Sequence, residues 1–222
     1  MVEYFATKGK LILKNNEPVV FTDGSEKSFL QEELILWTTL HWNFLNKQSL
    51  EEAFKTKMKR HHINTDTSFE ETLNRLRMRG LIVSKSDYLA SDALYNLIKD
   101  LYVVPLGTTT ILKRMIAFIY LIFIKGMSFH KCKEVAENFK VSDFEKRIIK
   151  FSKKFKVTVA ELIRINERDL WNIISEDEIV PLAYEENENM NSLGISIRFS
   201  ESKIKVTEAI VNLYLKKQIV FE

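Results

Sequence analysis

The chain has 222 residues, 45% of them hydrophobic and 28% charged, with six glycines, three prolines and a net charge of +3. That composition supports one large or two small cores, leaves no room for long Pro- or Gly-rich disorder, and carries too little charge to imply nucleic acid by itself. The single cysteine, Cys132, excludes an internal disulfide framework and fits a reducing, cytoplasmic setting, and MVEYFATKGK has no apolar run behind a basic start, so no secretory signal is expected.

Residues 9–22 hold two apolar patches, Leu11-Ile12-Leu13 and Val19-Val20-Phe21, around a polar Asn15-Asn16-Glu17-Pro18 middle. Alternating strand formers around turn formers predict a β-hairpin, which Asp23-Gly24-Ser25 then breaks. Helix one is expected from Ser28 or Phe29, with Leu30, Leu34, Trp37 and His41 near helical spacing and Ile35, Leu36 and Leu40 widening the stripe. Trp37, Trp42 and Phe44 are core residues in this reading, with a dimer interface as the other use for them. Ser49 with Glu52 has the spacing of a capping box for helix two, whose face is Leu50, Ala53, Phe54 and Met58. Thr67 or Ser68 caps helix three, with Phe69, Leu73, Leu76 and Met78 inward and Gly80 as a left-handed stop. Leu81-Ile82-Val83, a turn over Ser84 to Asp87, and Tyr88-Leu89 then predict a two-stranded wing. Ser91 is expected to cap a fourth helix with Leu94, Leu97, Ile98 and Leu101 inward.

Pro105-Leu106-Gly107 marks a boundary at about one domain's length. Beyond it, Met115 to Ile124 is apolar over ten residues, about half of the roughly 20 needed to span a bilayer, and reads as a buried core helix with no membrane role. Helices are expected over 128–139, 142–155 and 159–174, then an acidic loop over 176–192, a strand near 193–199 from the alternation of LGISIRF, and a last helix over 205–218. The predicted class is mainly α with small β elements: a β-hairpin and winged-helix domain over 1–104 and a helical domain over 108–222.

The string Leu73-x-x-Leu76-x-x-Arg79-Gly80-Leu81-Ile82, followed by Tyr88-Leu89-Ala90-Ser91-Asp92, resembles the winged helix-turn-helix superfamily of bacterial transcription regulators. The resemblance covers residues 30–102. The segment RHHINTDTS between helices two and three is longer than the family's usual turn. Together with the N-terminal hairpin, the same residues are also similar to the peptide-recognition domain of peptide-modification systems. That likeness implies strand addition of a bound peptide along a sheet edge.

The first resemblance implies a DNA-binding regulator, with helix three in the major groove and a homodimer matched to paired half-sites. Between Glu51 and Lys85 there are eight basic and five acidic side chains. Asn74 and Arg75 offer bidentate geometry for adenine and guanine edges, and the DNA-facing set is Lys57, Lys59, Arg60, Ser68, Asn74, Arg75, Arg77 and Lys85. Glu70 and Glu71 in the first turn favour the helix dipole but repel phosphates, and so favour the second reading, a non-catalytic peptide- or protein-binding module. A further basic stretch, Lys131 to Lys156, has nine Lys/Arg against four Asp/Glu. It reads as a face set against the six Asp/Glu of 176–188, with a second nucleic-acid element as the other reading. Neither His61-His62 with Asp66 nor His130-x-Cys132 has the partner spacing of a metal site, and no phosphate loop, G-x-S-x-G or H-E-x-x-H appears. No metal, cofactor or enzymatic activity is therefore expected.

Overall fold

The computed structural model describes residues 1–15, 17–107 and 140–222. The helices expected over 115–124 and 128–139, with His130 and Cys132, lie outside these residues. The described part mixes helix and strand, with nine α-helices and three small antiparallel sheets.

The chain opens with β1 (Val2–Thr7), which the sequence reading did not foresee. A meander follows: β2 (Lys10–Lys14), β3 (Glu17–Thr22) and β4 (Ser25–Ser28). The expected hairpin is its first half. The break at Asp23-Gly24 is a two-residue turn with φ of 49° and 71°, the left-handed pair that returns a tight hairpin into a further strand. Gly9, at φ +93°, joins β1 to this meander. A Cβ there would lie 2.3 Å from the Val20 side chain, so only glycine lets the two sheets approach.

Three helices come next: α1 (Gln31–Leu40), α2 (Lys47–Arg60) and α3 (Phe69–Met78), with the two-residue strand β5 (Leu45–Asn46) between the first two. Asn46, not Ser49, caps α2; its side chain accepts the Ser49 N–H at 2.8 Å. Ser68, not Thr67, caps α3, and the reciprocal carboxylate is that of Glu71, which accepts the Ser68 N–H at 3.1 Å. Leu36, Trp37, Leu40, Leu50, Phe54, Leu73 and Leu76 meet in one buried cluster. The expected inward residues Leu30 and Met78 are instead exposed. Gly80, at φ +67°, stops α3 as expected.

The predicted wing is absent. Residues 82–87 form one strand, β6 (Ile82–Asp87), paired antiparallel to β1 from Thr7↔Ile82 to Val2↔Asp87. Ser84 to Asp87 continues the strand because β1 supplies its partner, so no turn is needed to bring one back. Tyr88 and Leu89 lead directly into α4 (Ala90–Ile98), with Leu89 in the cap position and Ser91 inside the first turn. The sheet order is β5–β1–β6.

Alternation along a strand sends successive side chains to opposite faces. Phe5 and Ile82 join the α1–α3 cluster. Ala6 belongs to a second cluster, against which Tyr4 and Val83 pack, built from α4, β7 (Val103–Pro105), α5 (Asp143–Lys154), α6 (Val159–Glu167), α9 (Glu201–Leu215) and β8 (Ile219–Phe221). The sheet is thus a wall between two cores. The strand that ends at the expected boundary, Pro105, pairs with the last strand of the chain, Val103↔Phe221 to Pro105↔Ile219.

The acidic stretch over 176–192 is largely helical. It holds a 3-10 turn at Glu176–Glu178, α7 (Ile179–Ala183) and the start of α8 (Met190–Ser196). The strand expected near 193–199 is the rest of α8 and a 3-10 turn, Ile197–Phe199. Leu193 and Ile197 are buried while Ile195 is 65% exposed, a four-residue spacing that the shorter alternation of LGISIRF concealed. Helix α6 ends at Glu167, not 174, and α9 runs over Glu201–Leu215, earlier than expected.

Because Phe5 is 1% exposed at the centre of the wall, Phe5→Ala is expected to destabilise the protein by about 3–5 kcal/mol. Chemical denaturation followed by circular dichroism measures this; a loss below about 1 kcal/mol would contradict the shared-wall arrangement.

Candidate nucleic-acid interface

Helix α3 buries Phe69, Thr72, Leu73 and Leu76 and leaves Glu70, Glu71, Asn74, Arg77 and Met78 exposed. The two glutamates are both engaged within the chain. Glu70 pairs with Lys47 at the start of α2, at 2.7 Å, and this contact raises the Lys47 ammonium above its ordinary pKa. The Glu71 carboxylate closes the cap of its own helix. Ser68 remains at the exposed helix start, but its hydroxyl accepts the Glu71 N–H at 3.2 Å and so serves that cap. Asn74 and Arg77 stand on the exposed face with no ion pair or side-chain hydrogen bond among the described residues.

Two other arginines of the motif hold the helix in place. Arg75 donates to Thr67 Oγ1 at 3.0 Å and lies 3.7 Å from Glu32 of α1. Arg79 pairs with Glu33, buried in α1, at 2.5 Å and donates to the Ser28 carbonyl. Lys27 in turn donates to the Arg79 carbonyl at 2.8 Å. The arginines therefore join α3 to α1 and to the edge of β4. Arg75, expected to read guanine, is committed to positioning.

The lysines are dispersed. Lys59 borders an 830 Å³ groove between α2 and the 63–70 segment, floored by Phe54, Met58, Ile63 and Phe69. Arg60 is exposed at the end of α2. Lys57 faces elsewhere, into a 470 Å³ cavity with Thr38, Thr39, Trp42 and Lys217. Burial and the neighbouring Arg60 lower its ammonium below the ordinary range. Lys85 sits opposite Tyr4 in β6, so it shares the sheet face turned away from the three-helix cluster. The structure brings Asn74, Arg77 and the α3 start together; it separates Lys57 and Lys85 from them.

A buried polar relay lies behind the Lys57 cavity, and the sequence reading did not foresee it. The Trp42 N–H donates to Tyr214 Oη at 3.2 Å, Tyr214 Oη and Thr7 Oγ1 are 2.8 Å apart, and Thr7 Oγ1 is 3.0 Å from His41 Nδ1. With the tyrosine oxygen accepting from Trp42, its proton goes to Thr7, and the threonine proton goes to an unprotonated His41 Nδ1. Burial, helped by Lys217, pushes the His41 pKa down to about 3. His41 also stacks on Trp37, with ring centroids 4.1 Å apart. Only its place at the end of an apolar stripe hinted at this in the sequence; Thr7 and Tyr214 are 207 positions apart.

Among the described residues no group of three or more His, Cys, Asp and Glu is placed to hold a metal ion, and no helix is long and apolar enough to cross a membrane. No family model matches the chain, and no curated protein or solved structure matches it significantly.

The relay sets a pH dependence. The unfolded chain binds a proton on His41 below about pH 6.5, whereas the folded chain resists it down to about 3. Its contribution to stability is complete above pH 6.5 and is lost as pH falls toward 3, at about 1.4 kcal/mol per unit. His41→Gln is expected to flatten the stability–pH curve in that window relative to the parent chain, measured by denaturation at several pH values; parallel curves would exclude a neutral buried His41.

Proposed function

We propose that this chain is a DNA-binding protein that uses a three-helix unit without a two-stranded wing, with α3 as the reading element and a homodimer as the form that recognises paired half-sites. The observation that carries this reading is the exposed side of α3. It presents Asn74 and Arg77 side by side, while the carboxylates of its first turn are drawn onto Lys47 and onto the helix's own cap. Asn74 offers a bidentate pairing to adenine and Arg77 to guanine. Lys59 and Arg60 at the end of α2 supply phosphate contacts. Arg75 and Arg79 act through Glu32 and Glu33, setting the angle of α3 on α1.

Anisotropy of labelled genomic fragments, titrated with salt, tests this. The parent chain is expected to bind with a steep salt dependence. Asn74→Ala with Arg77→Ala is expected to weaken binding to the preferred fragments ten- to hundredfold and to relax the preference among fragments. Undetectable binding at low salt would overturn the reading.

A peptide-binding module is the second reading, favoured by the outer edge of β6. The Lys8 N–H donates to the Leu81 carbonyl, so in this antiparallel register residues 81, 83, 85 and 87 face β1. The backbone groups of Ile82, Ser84 and Ser86 point away from β1, the arrangement that accepts an added strand. Ser84→Pro removes one outward N–H without touching the β1 pairing. It is expected to abolish capture of a peptide partner in a pull-down while leaving DNA affinity unchanged; a partner retained by the proline variant would remove this reading.

A further inference from the structure

A second uncompensated basic surface lies on α5. Ile148 and Phe151 turn this helix into the second core, and Glu145 is buried against Lys216 at 2.9 Å. The remaining side carries Lys146, Arg147, Lys150, Lys153 and Lys154 to solvent. Among the described residues only Lys146 has an ion pair, with Asp143 at 2.8 Å. Two carboxylates of the acidic stretch that the sequence set against these cations are engaged elsewhere, Glu188 with Arg164 at 3.3 Å and Glu185 with Arg168 at 2.9 Å, and Glu178 accepts the Ile174 N–H at 3.4 Å. Among the described residues no ion pair joins this stretch to the basic face of α5.

Arg147, Lys150 and Lys154 border a 560 Å³ groove whose other side is formed by Trp171, Asn172 and Ile174; Asp169 is the one carboxylate on its rim. Spacings of three and four residues put the three cations on one helical face along about 10 Å of axis. Two are held in place. The Arg147 guanidinium lies over the Trp171 ring, 5.9 Å from its centroid, and Lys154 donates to the Ile173 carbonyl at 3.3 Å. Trp171 is itself fixed edge-on against Phe144 and Phe151.

We infer that α5 and the 169–174 segment form a binding surface for the phosphate backbone of a nucleic acid, separate from α3. A line of cations on a fixed helix matches a line of phosphates, the Asn172 amide adds a donor, and Trp171 and Ile174 give apolar contact to sugar or base. An anionic membrane fits less well. An interfacial helix needs an apolar face to insert, and that face of α5 is spent in the core, leaving Ile174 as the exposed apolar side chain of this groove.

The test is anisotropy of the full chain with labelled single-stranded and duplex DNA across a salt series, alongside co-sedimentation with phosphatidylserine vesicles. Lys150→Glu with Lys154→Glu is expected to reduce the salt slope by about 2 and to weaken binding at least tenfold at about 0.1 M salt. Lys150→Gln with Lys154→Gln is expected to shift both in the same direction by less, and circular dichroism checks that both variants fold. Parent-like binding by the reversed variant overturns the inference, as does a parent chain that binds vesicles but neither DNA. If the Asn74/Arg77 variant loses affinity while the α5 variants do not, the inference falls and the α3 reading stands. If the α5 variants lose affinity and the Asn74/Arg77 variant does not, the α3 reading falls and the inference stands.

Discussion

Strand β1 has both faces covered and both edges paired. Phe5 enters the cluster of α1–α3, Ala6 enters the cluster of α4, α6 and α9, and the backbone pairs with β5 on one side and β6 on the other. A strand in that position satisfies its hydrogen bonds only when both neighbours are in place, and its side chains are dry only when both helical layers have docked. The expected division into domains over 1–104 and 108–222 falls beyond this sheet in the chain. The described packing places a shared wall at residues 2–7 and 82–87, with α4 on the far side of it.

The polar relay at the end of that wall has the same character. Thr7, His41 and Tyr214 come from β1, the end of α1 and α9, and each satisfies a group that burial would otherwise leave unpaired. The price of placing a histidine there is a neutral imidazole, because a charge at that depth would be desolvated with Lys217 nearby. Registering the two halves in this way also fixes where α3 stands. Arg75 and Arg79 tie it to Glu32 and Glu33 of α1, and α1 ends in the relay.

The two proposed surfaces rest on this scaffold, and they differ in how their charge is managed. On α3 the exposed carboxylates are held by Lys47 and by the helix's own cap, and two uncommitted polar side chains are left outward. On α5 two carboxylates of the acidic stretch pair with Arg164 and Arg168 rather than with the helix's lysines. Both depend on ion pairs formed between segments distant in sequence, which is why a count of Lys and Glu along the chain could not rank them.

The sequence by itself determined what local chemistry controls. The hairpin over 9–22, the helices α1 to α4 and the stop at Gly80 follow from turn residues and helical periodicity. The tertiary structure decided whatever needed a distant partner. The wing over 81–89 was misread because Ile82-Val83 is apolar on both faces, and Ser84 to Asp87 becomes a strand only in the presence of β1. Residues 193–199 became helix because the core accepted Leu193 and Ile197 and left Ile195 in solvent. β8 is a strand only because Val103–Pro105 lies beside it. Arg75 changed from a reader to a brace for the same reason: an ion pair is a property of two places in space, and its partner, Glu32, is 43 residues away in the chain.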